Sequence, residues 1–205
     1  MKNRSIFLTS DGLSQASKAV FLEHIGKKTD SIKLMVVPTA GILSDSAREG
    51  LAVCLSELMA MGIRYENITI YNLELVISKG YVRTYSAYVS EISPIVRLVT
   101  ADELASYDAI VISGGDASFL TAEMNRTGFA NEVKKAVDDG LVYVGISAGS
   151  MFAAGSFENG LHLIKNAVIP HWKNEIVTAL PNDDSEIHLS DGQVIYASGN
   201  RIELL

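Results

Sequence analysis

Residues 141–150 read Leu-Val-Tyr-Val-Gly-Ile-Ser-Ala-Gly-Ser: an apolar, β-branched run enters a G-x-S-x-G. The Ala/Met/Phe-rich segment Met151–Ala154, which suits a helix, leaves it. An apolar run without alternation suits a strand buried on both faces, as in a parallel sheet covered by helices. A strand that turns at once into a helix is the unit of doubly wound α/β folds. The serine at the apex would project its hydroxyl off the carboxyl edge of the sheet. Gly145 and Gly149 would let the backbone bend that sharply without clashes. The helix beyond aims its free N–H groups and positive dipole end at the same spot. A bare G-x-S-x-G also fits a tight turn with a solvated serine. Its setting between strand and helix makes Ser147 a candidate nucleophile.

The rest of the chain repeats the unit. Ile6–Thr9, Ile32–Val37, Ile68–Tyr71 and Ala109–Ser113 read as strands, with helical patterns between them. Ser10–Asp11–Gly12 is a turn into the first helix, which carries Ala16, Val20 and Phe21 on one face and stops near Gly26. Ser46–Glu49 and Thr100–Glu103 both have the spacing of a capping box. After the first box, Ala47, Leu51, Cys54, Leu55 and Leu58 recur at helical spacing, which puts Cys54 in the core. Residues 73–99 fit no clear element. Tyr81, Tyr85 and Tyr88 there share one helical face, a packing stripe rather than a flap over the site. Leu161–Ile164 and Ala167–Ile169 read as extended. Beyond them Ile187/Leu189, Val194/Tyr196 and Ile202/Leu204 alternate around Asp191–Gly192 and Gly199–Asn200, as in an antiparallel meander with tight turns. The expected architecture is a single α/β domain over residues 1–205. It has a three-layer, doubly wound, mostly parallel sheet and a small C-terminal antiparallel meander.

Bulk chemistry narrows the function. The net charge is −7 and no basic run forms a nucleic-acid footprint, so nucleic acid is set aside as a partner. The one cysteine excludes an intrachain disulfide framework and a cysteine-cluster metal site. Neither a metal nor another cofactor is expected. Ile6–Leu8 is too short for a signal-peptide core and nothing approaches a membrane span, so a cytoplasmic protein with no membrane partner is the expectation.

A serine hydroxyl needs a base within hydrogen-bond reach. His24 falls in the first helix, His188 in the terminal meander, and His162 inside an apolar segment where a structural histidine is usual. His171 follows Ile169–Pro170 at a strand end, where catalytic groups of such sheets belong. An oxyanion needs two N–H donors. Ala148, the residue after the nucleophile, supplies one. The second fits the turn Gly114–Gly115, whose backbone can approach a substrate closely. A phosphate cradle is the competing reading of that turn, but the following Lys-Ser/Thr is missing.

Three segments, Ile110–Asp116 (I-V-I-S-G-G-D), Gly145–Gly149 (G-I-S-A-G) and Ile169–Trp172 (I-P-H-W), together resemble the signatures of peptidase family S51. That family includes aspartyl dipeptidase and cyanophycinase. Asp191–Gly192–Gln193 is similar to the D-G-Q turn on which its members often end. The resemblance implies a fold like the class I glutamine amidotransferases, with serine in place of their cysteine. It implies Ser147 as nucleophile, His171 as base, and Gly115 and Ala148 as oxyanion donors. It further implies a small peptide substrate with a free N-terminal aspartate, which Gly114, Asp116 and a nearby cation would contact. Lys173 leads the candidates for that cation, ahead of Arg126, Lys165 and Arg83. The third catalytic member departs from the pattern. Glu158 is the only acidic residue between Ser147 and His171, so it becomes the candidate orienter of the imidazole. An esterase of the α/β-hydrolase kind and a non-catalytic binding module of the same fold are the alternatives. The oligomeric state stays open.

Overall fold

The apolar runs lie side by side at the centre of the molecule. The computed structural model describes residues 4–77, 96–174, 178–181, 183, 185–199 and 201–205. Five strands, β1 (Ser5–Thr9), β2 (Leu34–Val37), β3 (Ile68–Ile70), β4 (Ala109–Ile112) and β5 (Val142–Ile146), pair in parallel. β6 (Val168–Pro170) and β7 (Ile187–Leu189) form a separate two-stranded parallel sheet. β8 (Val194–Ser198) and β9 (Arg201–Leu204) complete the main sheet, whose order is β3-β2-β4-β5-β1-β8-β9.

Strand alternation sends side chains to two separate cores. Phe7, Val36, Val111 and Val144 meet Phe21 of α1 (Gln15–Ile25) and Cys54 and Leu58 of α2 (Asp45–Ala60). Ile6, Leu8, Ile110, Ile112 and Tyr143 face the other way. They pack on α3 (Ala101–Leu104), α4 (Ala117–Thr127), α5 (Phe129–Asp138) and α6 (Ala148–Ala153) through Leu104, Leu120, Met124, Phe129, Val133 and Phe152. Helices on both faces leave no polar side to the sheet. That is why its inner strands are written without alternation. The fold is the three-layer α/β sandwich expected, and Cys54 is buried in it. No helix among the described residues is long and apolar enough to cross a membrane.

Several details differ from the sequence pattern. α2 is capped by Ser44, whose hydroxyl accepts from the Ala47 N–H, so its start lies two residues before the Ser46–Glu49 box. Asp45 then enters the first turn, where the helix dipole favours a carboxylate. The Thr100–Glu103 box does form, and Arg97 clasps the same Glu103 carboxylate with two hydrogen bonds, of 2.9 and 2.5 Å. Residues 161–164 form no strand, and His162 there has φ +50°. The C-terminal strands also part company. β8 fills the open edge of β1 over five antiparallel residue pairs, whereas β7 pairs with β6 instead of continuing a meander. The tyrosine stripe 81–88 and Arg83 lie outside the described residues.

Candidate active site

Three strand ends meet where β1, β4 and β5 finish. β5 stops at Ile146, and Ser147 turns the chain into α6 with φ +48° and ψ −102°. A non-glycine residue there is strained, and such strain persists only where surroundings impose it. Here they do. The Ser147 N–H donates to Thr9 O at 2.8 Å. The buried Ser150 hydroxyl accepts from the Thr9 N–H at 2.8 Å, with Thr9 O at 2.7 Å and Gly145 O at 2.8 Å in reach of its own proton. Tyr143, wholly buried, donates its hydroxyl to Gly149 O at 2.8 Å, and burial pushes its pKa up. Both motif glycines are sterically required. A Cβ on Gly149 would lie 2.3 Å from Ile112 O, and one on Gly145 2.7 Å from the Gly149 carbonyl carbon.

Facing the elbow, His171 leaves β6 in a left-handed conformation, φ +58°. Its Nε2 lies 3.1 Å from Ser147 Oγ and its Nδ1 lies 2.7 Å from Asp191 Oδ1. An ionised carboxylate only accepts, so Nδ1 carries the proton. The Nε2 lone pair then faces the serine hydroxyl, the tautomer that a general base needs. The chain of three is half-exposed at its far end, with His171 and Asp191 side chains 48% and 55% accessible. Asp191 sits in the Asp-Gly turn between β7 and β8, where Gly192 takes φ +82° and its N–H donates to Asp11 Oδ1 at 2.9 Å.

Glu158 does not fill that role. It is exposed, and its backbone carbonyl oxygen lies 2.9 Å from His162 Nε2. The carboxylate on the imidazole comes from beyond the histidine, on the Asp191–Gly192–Gln193 turn, which resembles the family's D-G-Q but to which the sequence assigns no catalytic role. The signal was present in Asp191–Gly192, but it read equally well as a reverse-turn dipeptide. A loop carboxylate twenty residues downstream of His171 can be assigned only once β7 is docked beside β6.

Gly115 follows β4 at φ +132° and packs so closely on the Pro38–Ile42 segment that a Cβ would lie 1.9 Å from Ala40 O. Gly114 faces the serine, and a Cβ there would lie 3.2 Å from the Ser147 Cβ. Ala148 opens α6, where the first N–H groups have no helical acceptor. Neither the Gly115 nor the Ala148 N–H is committed to an acceptor among the described residues. Asp116 caps α4 by accepting the Phe119 N–H at 2.8 Å, so a structural duty already occupies one of its carboxylate oxygens. Of the candidate cations, Arg126 is engaged. It donates to Val76 O and Leu73 O and pairs with Glu123. Lys165 and Lys173 are exposed. Among the described residues, no group of His, Cys, Asp and Glu is arranged to hold a metal ion.

Comparison with known proteins fits this geometry. The model of peptidase family S51 matches residues 95–205. An uncharacterized peptidase of Pasteurella multocida (strain Pm70) is 31% identical over 90 residues, covering 36% of this chain and 44% of that protein. The pyridoxal 5'-phosphate synthase subunit PdxT of Pyrococcus horikoshii is 35% identical over 60 residues, covering 29% of this chain and 31% of that protein. The chain thus spans less than half the length of these curated relatives. Two solved structures share the fold. A candidate peptidase E protein from Listeria monocytogenes EGD-e superposes with TM-score 0.63 at 18% identity, covering 99% of this chain and 98% of that one. A peptidase from an acI-B1 Actinobacterium does so with TM-score 0.64 at 17% identity, covering 100% and 88%.

Proposed function

As this chain belongs to peptidase family S51, we propose that it is a serine exopeptidase acting through an acyl-enzyme on Ser147. One observation carries the reading: Ser147, His171 and Asp191 are joined by hydrogen bonds of 3.1 and 2.7 Å at the carboxyl edge of the sheet. In the first step His171 Nε2 takes the Ser147 proton as Oγ attacks the scissile carbonyl carbon. Asp191 holds the imidazole in the productive tautomer and stabilises the imidazolium that forms. The N–H groups of Gly115 and Ala148 receive the charge that builds on the carbonyl oxygen. Collapse of the intermediate passes the proton from His171 to the leaving amine. Water, activated by the same imidazole, then releases the acyl group and restores Ser147.

The substrate we propose is a short peptide with a free N-terminal aspartate. Its side chain needs a cation, and Lys173 is exposed two residues past the base, without an ion pair to any described residue. Gly114, facing Ser147, leaves room for the substrate backbone. An α/β-hydrolase esterase fits less well, because in that fold the acid precedes the histidine along the chain. A binding module that had lost the chemistry would have no reason to hold its serine and histidine 3.1 Å apart.

The test is hydrolysis of Asp-X, Glu-X and neutral dipeptides, with serine-directed phosphonate labelling in parallel. Ser147→Ala should lower turnover by on the order of 10⁶ and abolish labelling while the fold survives. Retained turnover in a clean Ser147→Ala preparation would remove the serine from the mechanism. Equal cleavage of Ala-X and Asp-X would remove the acidic pocket.

A further inference from the structure

The triad residues come from three separate loops, yet one short stretch touches all three. Thr9 ends β1, and its carbonyl oxygen accepts the Ser147 N–H at 2.8 Å. Ser10 follows. Its hydroxyl accepts the His171 N–H at 2.9 Å and donates to Leu189 O, the last residue of β7, at 2.6 Å. Asp11 comes next, and its Oδ1 accepts the N–H of Gly192, the neighbour of Asp191, at 2.9 Å. We propose that Thr9–Ser10–Asp11 is the positioning segment of this active site, each residue fixing the backbone at or beside one member of the Ser147–His171–Asp191 line. The inference rests on the function proposed above and adds to it three residues that the family match, which begins at residue 95, does not contain.

Two features argue that the arrangement does more than close a turn. First, Ser147 and His171 are two of only three non-glycine residues with positive φ among the described residues. The backbone N–H of each is tied to this stretch. Strained backbone holds its geometry only when neighbours over-determine it, and here the neighbours are consecutive. Second, the stretch is itself rigid. Thr9 and Ser10 are fully buried, and the Thr9 hydroxyl accepts the Gly12 N–H at 3.1 Å to close the turn. Ser10 joins the end of β1 to both β7 and the residue after β6, the two strands that lie outside the main sheet. The Trp172 N–H adds a bond to the same Leu189 O at 3.1 Å, so the Ser10 hydroxyl sits at the knot between the base loop and the acid loop.

These bonds define distinct outcomes in the 205-residue protein. Ser10→Ala removes both hydroxyl bonds and leaves the His171 backbone free to relax. We expect kcat to fall by about 10²-fold, the scale of an ångström-sized misplacement, with KM little changed. Asp11→Ala releases the Asp191 turn. We expect about a tenfold loss in kcat, and loss of the hydrogen-bonded Nδ1 proton resonance of His171 by NMR, because Asp191 no longer faces it. Asp11→Asn keeps an oxygen acceptor for Gly192 and should recover most of both. Asp11 is exposed, so its two variants stay informative even where Ser10→Ala does not fold. The proposal is overturned if Asp11→Ala keeps the wild-type rate and the Nδ1 proton resonance. It is equally overturned if Asp11→Asn is as impaired as Asp11→Ala, because the charge and not the hydrogen bond would then matter. The resonance needs no turnover. A wild-type protein that cleaves no peptide and takes no phosphonate would sink the proposed function, while the imidazole readout would still decide the positioning.

Discussion

Replacing Asp191 separates two things that this carboxylate does for His171. It accepts the Nδ1 proton at 2.7 Å, and in the mechanism we propose its charge stabilises the imidazolium that forms when Ser147 attacks. A hydrogen bond to a charged group contributes about 1.5–3 kcal/mol. At about 1.4 kcal/mol per decade that corresponds to roughly 10- to 150-fold in rate. With His171 and Asp191 accessible to 48% and 55%, water replaces part of what is lost, so Asp191→Ala should fall in the lower half of that range. Asp191→Asn should be worse. Its amide can donate to Nδ1 and drive the proton to Nε2, where the ring can no longer accept from Ser147. A wrong tautomer of that kind can cost about 10⁴ in kcat. The assay is kcat on the best dipeptide, repeated as the rate of Ser147 labelling by a phosphonate, with Glu158→Gln as the control. Glu158 is exposed and its carboxylate is not on the imidazole, so that variant should stay within about twofold of wild type. An asparagine milder than the alanine would refute the tautomer argument. A Glu158→Gln loss above tenfold would refute the assignment of Asp191.

Other predictions concern stability. Gly149→Ala forces a Cβ into a 2.3 Å contact with Ile112 O and should cost about 1–3 kcal/mol; at roughly 2–4 °C per kcal/mol for this size, thermal melting will show it. Cys54→Ser places a hydroxyl in an apolar core and should cost about 1–3 kcal/mol while leaving peptide turnover intact. Burial pushes the Cys54 thiol up to about 12, so the native protein should resist thiol reagents at neutral pH, and rapid labelling would contradict that burial. Arg97, with the Thr100 N–H, holds Glu103 down to about 2. The ion pair's contribution is therefore present above the ordinary glutamate range and lost as pH falls toward 2. The Glu103 side chain is 39% exposed, so the pair is worth about 0–1 kcal/mol. In urea titrations the stability gap between wild type and Arg97→Met should close between about pH 4.3 and pH 2.

What could be read in the sequence divides along a physical line. Continuous apolar runs reported the parallel strands because helices cover both faces and no residue of β1, β2 or β4 meets water. The elbow was legible because a strand, two sterically required glycines and a helix start are all local. His171 was legible as the only histidine at a strand end. Asp191 was not, and neither were Ser10 and Asp11. Each acts through a partner that the fold brings back from 20, 161 and 181 positions away, and no periodicity carries such a pairing. The expectation of Glu158 shows how the error arises, since it sought the acid between serine and histidine, where neighbouring sequence could supply it. Strand pairing decided otherwise. With β8 on the edge of β1 and β7 beside β6, the Asp-Gly turn joining them falls against the histidine. The carboxylate on the imidazole is set by where the C-terminal strands dock, so a change that undocks β7 should act on the proposed catalysis before it acts on the main sheet. Ile187→Ala is such a change, since Ile187 opens β7 and its side chain is buried. It should lower kcat and weaken the His171 Nδ1 proton resonance together, while β1, β4 and β5 keep their amide protection from hydrogen exchange.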